Sequence, residues 1–163
     1  MKIAFYQDND NVITVHPAPA LFDAASRDRI ELAERGVIFN SDEEVYDFIF
    51  SKDIPKSKIF YTILESELPD LTFRNAWIIN AGSLEIDLSK AKNITHVKRR
   101  AARAEEFKPL DEIISLQIPG NDLSNAELQR QLIRDKYADI QQQIDACEDV
   151  ESLKSIHESL GAQ

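Results

Sequence analysis

The sequence predicts an α+β protein. A small β-rich N-terminal domain with one or two helices covers residues 1–82, and a helical hairpin or bundle covers 83–163. Three observations predict it. In "KIAFYQDNDNVITVH", apolar residues alternate on both sides of a turn-forming cluster, the pattern of a β-hairpin. "KIFYTILE" (58–65) is dense in β-branched and aromatic residues. Beyond "NAGS" the apolar period lengthens to about 3.6. There Ile133, Tyr137, Ile140, Ile144 and Cys147 repeat with the four-three rhythm of a coiled-coil seam. A chain of 163 residues suits one domain, or a small domain with a helical appendage, and 43% hydrophobic residues suffice for a core.

The elements follow in order. Pro17 and Pro19 end the hairpin, because neither can donate to a ladder. Leu21, Ala24, Ala25, Ile30 and Ala33 have loosely helical spacing over 20–35, and Gly36 can terminate that helix. Val37–Phe39 is a short strand or an extended link. Ser41 with Glu44 fits a capping box ahead of Val45, Phe48 and Ile49, and Pro55 stops that helix. "TFRNAWIIN" (72–80) reads as a last strand or extended cover with Trp77 as a core anchor, and Asn80–Ser83 as a hinge. Asp87 or Ser89 can cap a helix over 88–107. Ala91, Ile94, Thr95, Lys98, Ala101 and Ala102 share its inward repeat. Pro109 forces a kink or a restart, giving a second helix over 109–117. "PGND" (119–122) is a breaker. Ser124 and Glu127 open a helix over 124–147, whose stripe Leu128 and Leu132 widen. Asp149 caps a last helix over 150–160.

Composition excludes several classes. Only four glycines are present, so a glycine-rich phosphate loop is not expected. Apolar runs of a few residues, such as "WII", do not span a bilayer, and no membrane partner is expected. "MKIAFYQDND" turns polar within a handful of residues, as a first strand rather than a signal peptide does. The single Cys147 excludes an intrachain disulfide and a cysteine-based zinc site, and a reducing cytoplasm is the expected place of synthesis. The formal charge of −10 opposes non-specific binding to nucleic acid. It is unevenly spread: residues 1–87 carry −8 and residues 88–163 carry −2.

No constellation signals chemistry. His16, His96 and His157 fall in three different elements, without an HExxH pair. Cys147 occupies the helix seam and reads as a small core residue. No G-x-S-x-G elbow places a serine. Asp42–Glu44 complement a helix N-terminus, and "DNDN" (8–11) lacks the glycine and bidentate glutamate of a calcium loop. The reading is of a non-enzyme, with no catalytic residue, no cofactor and no metal.

The remaining feature is "KRRAAR" (98–103). On a helix, Arg99, Arg100 and Arg103 form a band rather than a groove-reading surface, and Arg103 has Glu106 as its i+3 neighbour. No aromatic residue is interleaved for base stacking. A solvated helix face or a protein contact is therefore favoured over nucleic acid. Arg99, Arg100 and Arg103, with the seam residues Ile133, Tyr137, Ile140 and Ile144, are the candidate contact residues.

Most of the chain also resembles a family of small proteins of tailed bacteriophages and prophages, often encoded near tail-fibre genes. The matching residues are His16–Pro19, Lys52–Pro55, Leu68–Pro69, Phe73–Trp77, Ala91–Lys92, Ile94, Arg99–Arg100, Ala102–Arg103 and Leu110–Asp111. The C-terminal layout is similar to that of tail-fibre-assembly proteins, with Lys136–Tyr137 and Ile144–Asp145 at corresponding steps, although residues 113–127 depart from their tighter spacing. The resemblance implies a tail-fibre or baseplate component, or an assembly chaperone, located in the virion tail or the host cytoplasm. Its partner would be a tail or fibre protein, or further copies of itself. The acidity of residues 1–87 supports an alternative, a small phage inhibitor that binds a host protein, as a nucleic-acid mimic in one version.

Overall fold

β1 (Lys2–Asp8) and β2 (Asn11–Val15) pair antiparallel with Asp8 opposite Asn11, so Asn9 and Asp10 make the turn. Asn9 adopts φ 52°, a left-handed conformation that asparagine tolerates. β3 (Phe60–Leu64) joins the other side of β1, giving the strand order β2-β1-β3. β1 is the central strand, and its Ile3, Ala4, Phe5 and Tyr6 are all buried. The computed structural model describes residues 1–116 and 123–161. The architecture is α+β, in two compact units, Met1–Glu85 and Ile86–Gln163.

Alternation along β1 builds two cores in the first unit. Ala4 and Tyr6 face α2 (Asp42–Asp53), which closes over them with Val45, Ile49 and Phe50, joined by Ile54. Ile3 and Phe5 face the opposite way. Phe5 meets Tyr61 there, with ring centroids 5.8 Å apart. Ser41 caps α2 by accepting from Glu44 N–H at 3.3 Å. Glu44 reaches back one residue further than a capping box requires, to the N–H of Asn40 at 2.7 Å.

The helix expected over 20–35 divides. A 3₁₀ turn covers Pro19–Phe22, and α1 runs from Arg27 to Glu34. Asp23 accepts from Ala25 N–H at 2.9 Å, and Ser26 caps α1 by accepting from Arg29 N–H at 3.3 Å. Such side-chain bonds offer the backbone an alternative to helix. Arg29 then ties the flanking segments together, donating to the carbonyls of Leu21 at 2.7 Å and Phe39 at 2.9 Å. Val37–Phe39 forms no strand.

The expected hinge at Asn80–Ser83 is a hairpin turn. A 3₁₀ segment (Leu71–Ala76) leads into β4 (Trp77–Asn80), and β4 pairs with β5 (Ser83–Ile86). Ala81 and Gly82 have φ 50° and 89°, the two positive values of a type I′ turn. β5 has only four residues, too few to show a period in the sequence. The first unit therefore extends to Glu85 rather than ending at Gly82. Trp77 is buried, with Phe73 and Ala76.

In the second unit, α3 (Leu88–Leu116), α4 (Leu123–Ala146) and α5 (Val150–Ser159) pack on one another. Asp87 caps α3 by accepting from Lys90 N–H at 3.1 Å. Asp149 caps α5 by accepting from Ser152 N–H at 2.7 Å. α3 does not restart at Pro109, which lies inside one continuous helix. An interior proline costs about 3 kcal/mol, and contacts with α4 on both sides of it hold the two halves in line. Before Pro109, Glu106 accepts from Lys136 and from Tyr137. After it, Asp111 pairs with Arg130 at 3.2 Å. These pairings run in opposite sequence directions, so α3 and α4 are antiparallel. α4 already includes Leu123, which puts Ser124 in its first turn rather than at the cap. The cap position and the breaker expected at 119–122 lie outside the described residues.

Gly82 combines φ 89° with a Cβ position 3.0 Å from the Tyr61 ring. Gly82→Ala should therefore destabilise the protein by about 1–2 kcal/mol, through the left-handed backbone and the displaced ring. The urea-unfolding midpoint measures this. An unchanged midpoint would show that the turn does not depend on Gly82.

Candidate protein-contact site

The seam of α4 is spent inside the chain. Tyr137 and Ile144, seven residues apart, are fully buried, and Ile133, Ile140 and Cys147 beside them are half-buried. Leu128 and Leu132 do not widen this stripe: they are 58% and 53% exposed. They lie one turn apart, on a face that α3 and α5 leave open.

The facing line on α3 is Ala91, Thr95 and Arg99, spaced by four and all buried. Arg99 thus points inward, whereas Ala101 is exposed and Ala102 is half-buried. Alanines do not mark the packed face here. A strict spacing of four turns the buried line slightly at each step, and it leads to position 99 rather than 101. Arginine can occupy it because its aliphatic stem packs while its guanidinium reaches a polar group. That group is the backbone carbonyl of Tyr137, to which Arg99 Nη1 donates at 2.9 Å. Burial first, and then the charges of Arg103 and Arg100, lower the Arg99 pKa from its usual value.

The neighbouring lysines do related work. Lys98 Nζ donates to the carbonyl of His157, in the last turn of α5, at 2.7 Å. Lys92 Nζ donates to the carbonyl of Asp145, in the last turn of α4, at 2.8 Å. Carbonyls at a helix C-terminus have no intrahelical partner and carry the negative end of the macrodipole. Lysines of α3 therefore close the ends of both other helices. Arg100 is exposed. Arg103 is half-buried, 5.9 Å from the Phe107 ring centre, which Arg130 and Arg134 also approach, at 5.6 Å and 6.0 Å.

The candidate contact residues thus separate into two sets. Arg99, Tyr137 and Ile144 contact their own chain. Arg100 is available to solvent, and Arg103, Ile133 and Ile140 are partly so. Tyr137 donates its hydroxyl to Glu106 Oε1 at 2.7 Å, and burial first, then this bond, raises its pKa to about 12.

The histidines are also placed. His96 Nε2 lies 3.0 Å from Asp145 Oδ1, and His157 Nδ1 lies 3.2 Å from Thr95 Oγ1. Burial first, and the nearby Lys98 second, lower the His157 pKa, with Glu158 opposing. Among the described residues, no group of three or more His, Cys, Asp or Glu is placed to hold a metal ion. No described helix is long and apolar enough to cross a membrane. Comparison of the chain with family models, curated proteins and solved structures returned no match.

Arg99→Met keeps the packed stem and removes a costly buried charge, so it should stay within about 1 kcal/mol of the parent or exceed it. Arg99→Ala should lose about 2 kcal/mol by leaving a cavity. Chemical denaturation separates them, and equal losses would show that the charge, not the stem, matters. For His157, the folded state binds protons less readily than the unfolded state. Its contribution is complete above the ordinary value of about 6.5 and is lost as pH falls through the lowered folded value. Acidification should therefore lower the unfolding midpoint, and His157→Gln should flatten that slope. A variant with the parental slope would assign the acid sensitivity elsewhere.

Proposed function

We propose that this is a non-enzymatic bacteriophage tail-associated protein, a tail-fibre or baseplate component or an assembly chaperone for one, acting by protein–protein contact. The resemblance of residues 16–19, 52–55, 68–69, 73–77 and the 91–111 helix to the tailed-phage family carries this reading. The surface left by the fold is compatible with it. Leu128 and Leu132 lie exposed on α4, and an apolar pair of this kind can anchor a helix or strand of a partner. With Lys92, Lys98 and Arg99 turned to backbone carbonyls, the basic segment offers little to a phosphate backbone, which favours contact with protein.

The test is to co-express the chain with the tail-fibre proteins of a tailed phage or prophage whose genome encodes it and to probe purified virions by mass spectrometry. A component should be present in virions. A chaperone should bind the unassembled fibre protein and be absent from virions. Leu128→Glu with Leu132→Glu should weaken either association at least tenfold, about 1.4 kcal/mol, while leaving the helical circular dichroism unchanged. Absence from virions together with no complex would overturn the proposal.

A further inference from the structure

We infer that the open edge of β3 pairs antiparallel with β3 of a second copy of this chain, extending two three-stranded sheets into one of six strands. This inference stands apart from the phage reading. The phase of the β1–β3 ladder identifies the open groups. Glu65 N–H donates to the Met1 carbonyl at 2.9 Å. With Met1 opposite Glu65, Ile3 opposite Ile63 and Phe5 opposite Tyr61 exchange the remaining ladder bonds. Phe60, Thr62 and Leu64 then turn their backbone groups outward, away from β1. The Leu64 N–H lies 3.4 Å from Glu67 Oε2. Phe60 and Thr62 present theirs at the sheet margin.

The two margins of the sheet differ. Along β2, β4 runs close by, and Arg74 donates to Thr14 Oγ1 at 3.0 Å. Along β3 the side chains are uncovered: Ile59 is 77% exposed, Leu64 44%, Phe60 41% and Tyr61 38%. Proteins usually blunt an edge with charge, proline or a bulge. Residues 59–64, "IFYTIL", contain neither charge nor proline.

The sequence around this edge says what covers it. Lys56 and Lys58 precede the apolar stretch, and Glu65 and Glu67 follow it. Antiparallel self-pairing brings the basic end of each copy to the acidic end of the other. Lys58 also holds Asp8 at 2.8 Å, and it is only partly committed, with a third of its side chain exposed. A two-fold axis through Thr62 sets Thr62 against itself and Phe60 against Leu64 of the second copy. Both are pairs of outward-facing residues, as an antiparallel ladder needs. An isologous contact of this kind closes after two copies. A foreign strand would need to supply that charge order and apolar pattern, whereas this chain already has both.

Sedimentation velocity over a concentration series, with amide hydrogen exchange read at single residues, tests the inference. A concentration-dependent dimer is expected. Protection at Phe60 and Thr62 should rise with dimer fraction, while Tyr61 and Ile63 stay protected throughout by β1. Thr62→Lys places two like charges across the axis on a residue whose side chain is exposed. It should weaken the dimer about tenfold or more, while the thermal midpoint measured at concentrations where the chain is monomeric stays unchanged. A strict monomer at all concentrations would overturn the inference. So would a dimer in which the Phe60 and Thr62 amides exchange as in the monomer. If Thr62→Lys misfolds, the exchange pattern of the unaltered chain still decides.

Discussion

The second unit depends on one kind of interaction: cationic side chains of α3 donating to backbone carbonyls of α4 and α5. Lys92 and Lys98 meet carbonyls in the last turns of these helices, and Arg99 meets one at mid-helix. Each helix end needs a partner for its final carbonyls, and here a neighbouring helix provides it. The arrangement fixes the axial position of α3 against both others, because each donor reaches only its own acceptor. The hydrophobic seam alone does not set that register so tightly. Tyr137 and Ile144 repeat every seven residues, and apolar packing is non-directional. The same fixed register lets one helix continue through Pro109.

The first unit is organised around β1. A strand buried on both faces and paired on both sides must be covered twice, by α2 on one face and by the 3₁₀–β4–β5 segment on the other. Among the described residues of this unit, no strand or helix is paired along the margin of β3. Ile59, Phe60, Tyr61 and Leu64 are all exposed along this edge and its approach, and the second unit leaves Leu128 and Leu132 uncovered on α4.

Much of this was legible in the residues. The hairpin at Asp8–Asn11, the cap at Ser41, Gly36 with φ 83° after α1, the cap at Asp149 and the α4 seam each depend on short-range patterns. Their physics is contained within a few residues, so the sequence displays it. Two of the differences have longer-range causes. Ala101 and Arg99 differ by two positions on α3, and which of them is buried depends on where the α4 carbonyls stand. Pro109 ordinarily ends a helix, and contacts with α4 that are distant in sequence, Asp111–Arg130 and Glu106–Lys136, hold it within one. β5 is too short to show a period, and Asp23 and Ser26 divided a plausible helix through local side-chain bonds. The inward role of Arg99 had one visible signal: it falls four residues after Thr95, which falls four after Ala91.

The helix-end lysines have a consequence for how the molecule is sensed from outside. Formal charge counts every cation as though it faced the solvent. In residues 88–163, Lys92, Lys98 and Arg99 instead each direct a donor at a carbonyl of a neighbouring helix, so part of their hydrogen-bonding capacity is used within the fold. A half that sums to only −2 therefore offers fewer free cationic donors than its composition suggests. A phosphate oxygen approaching this helix would compete with carbonyls already in place for the donors of all three side chains.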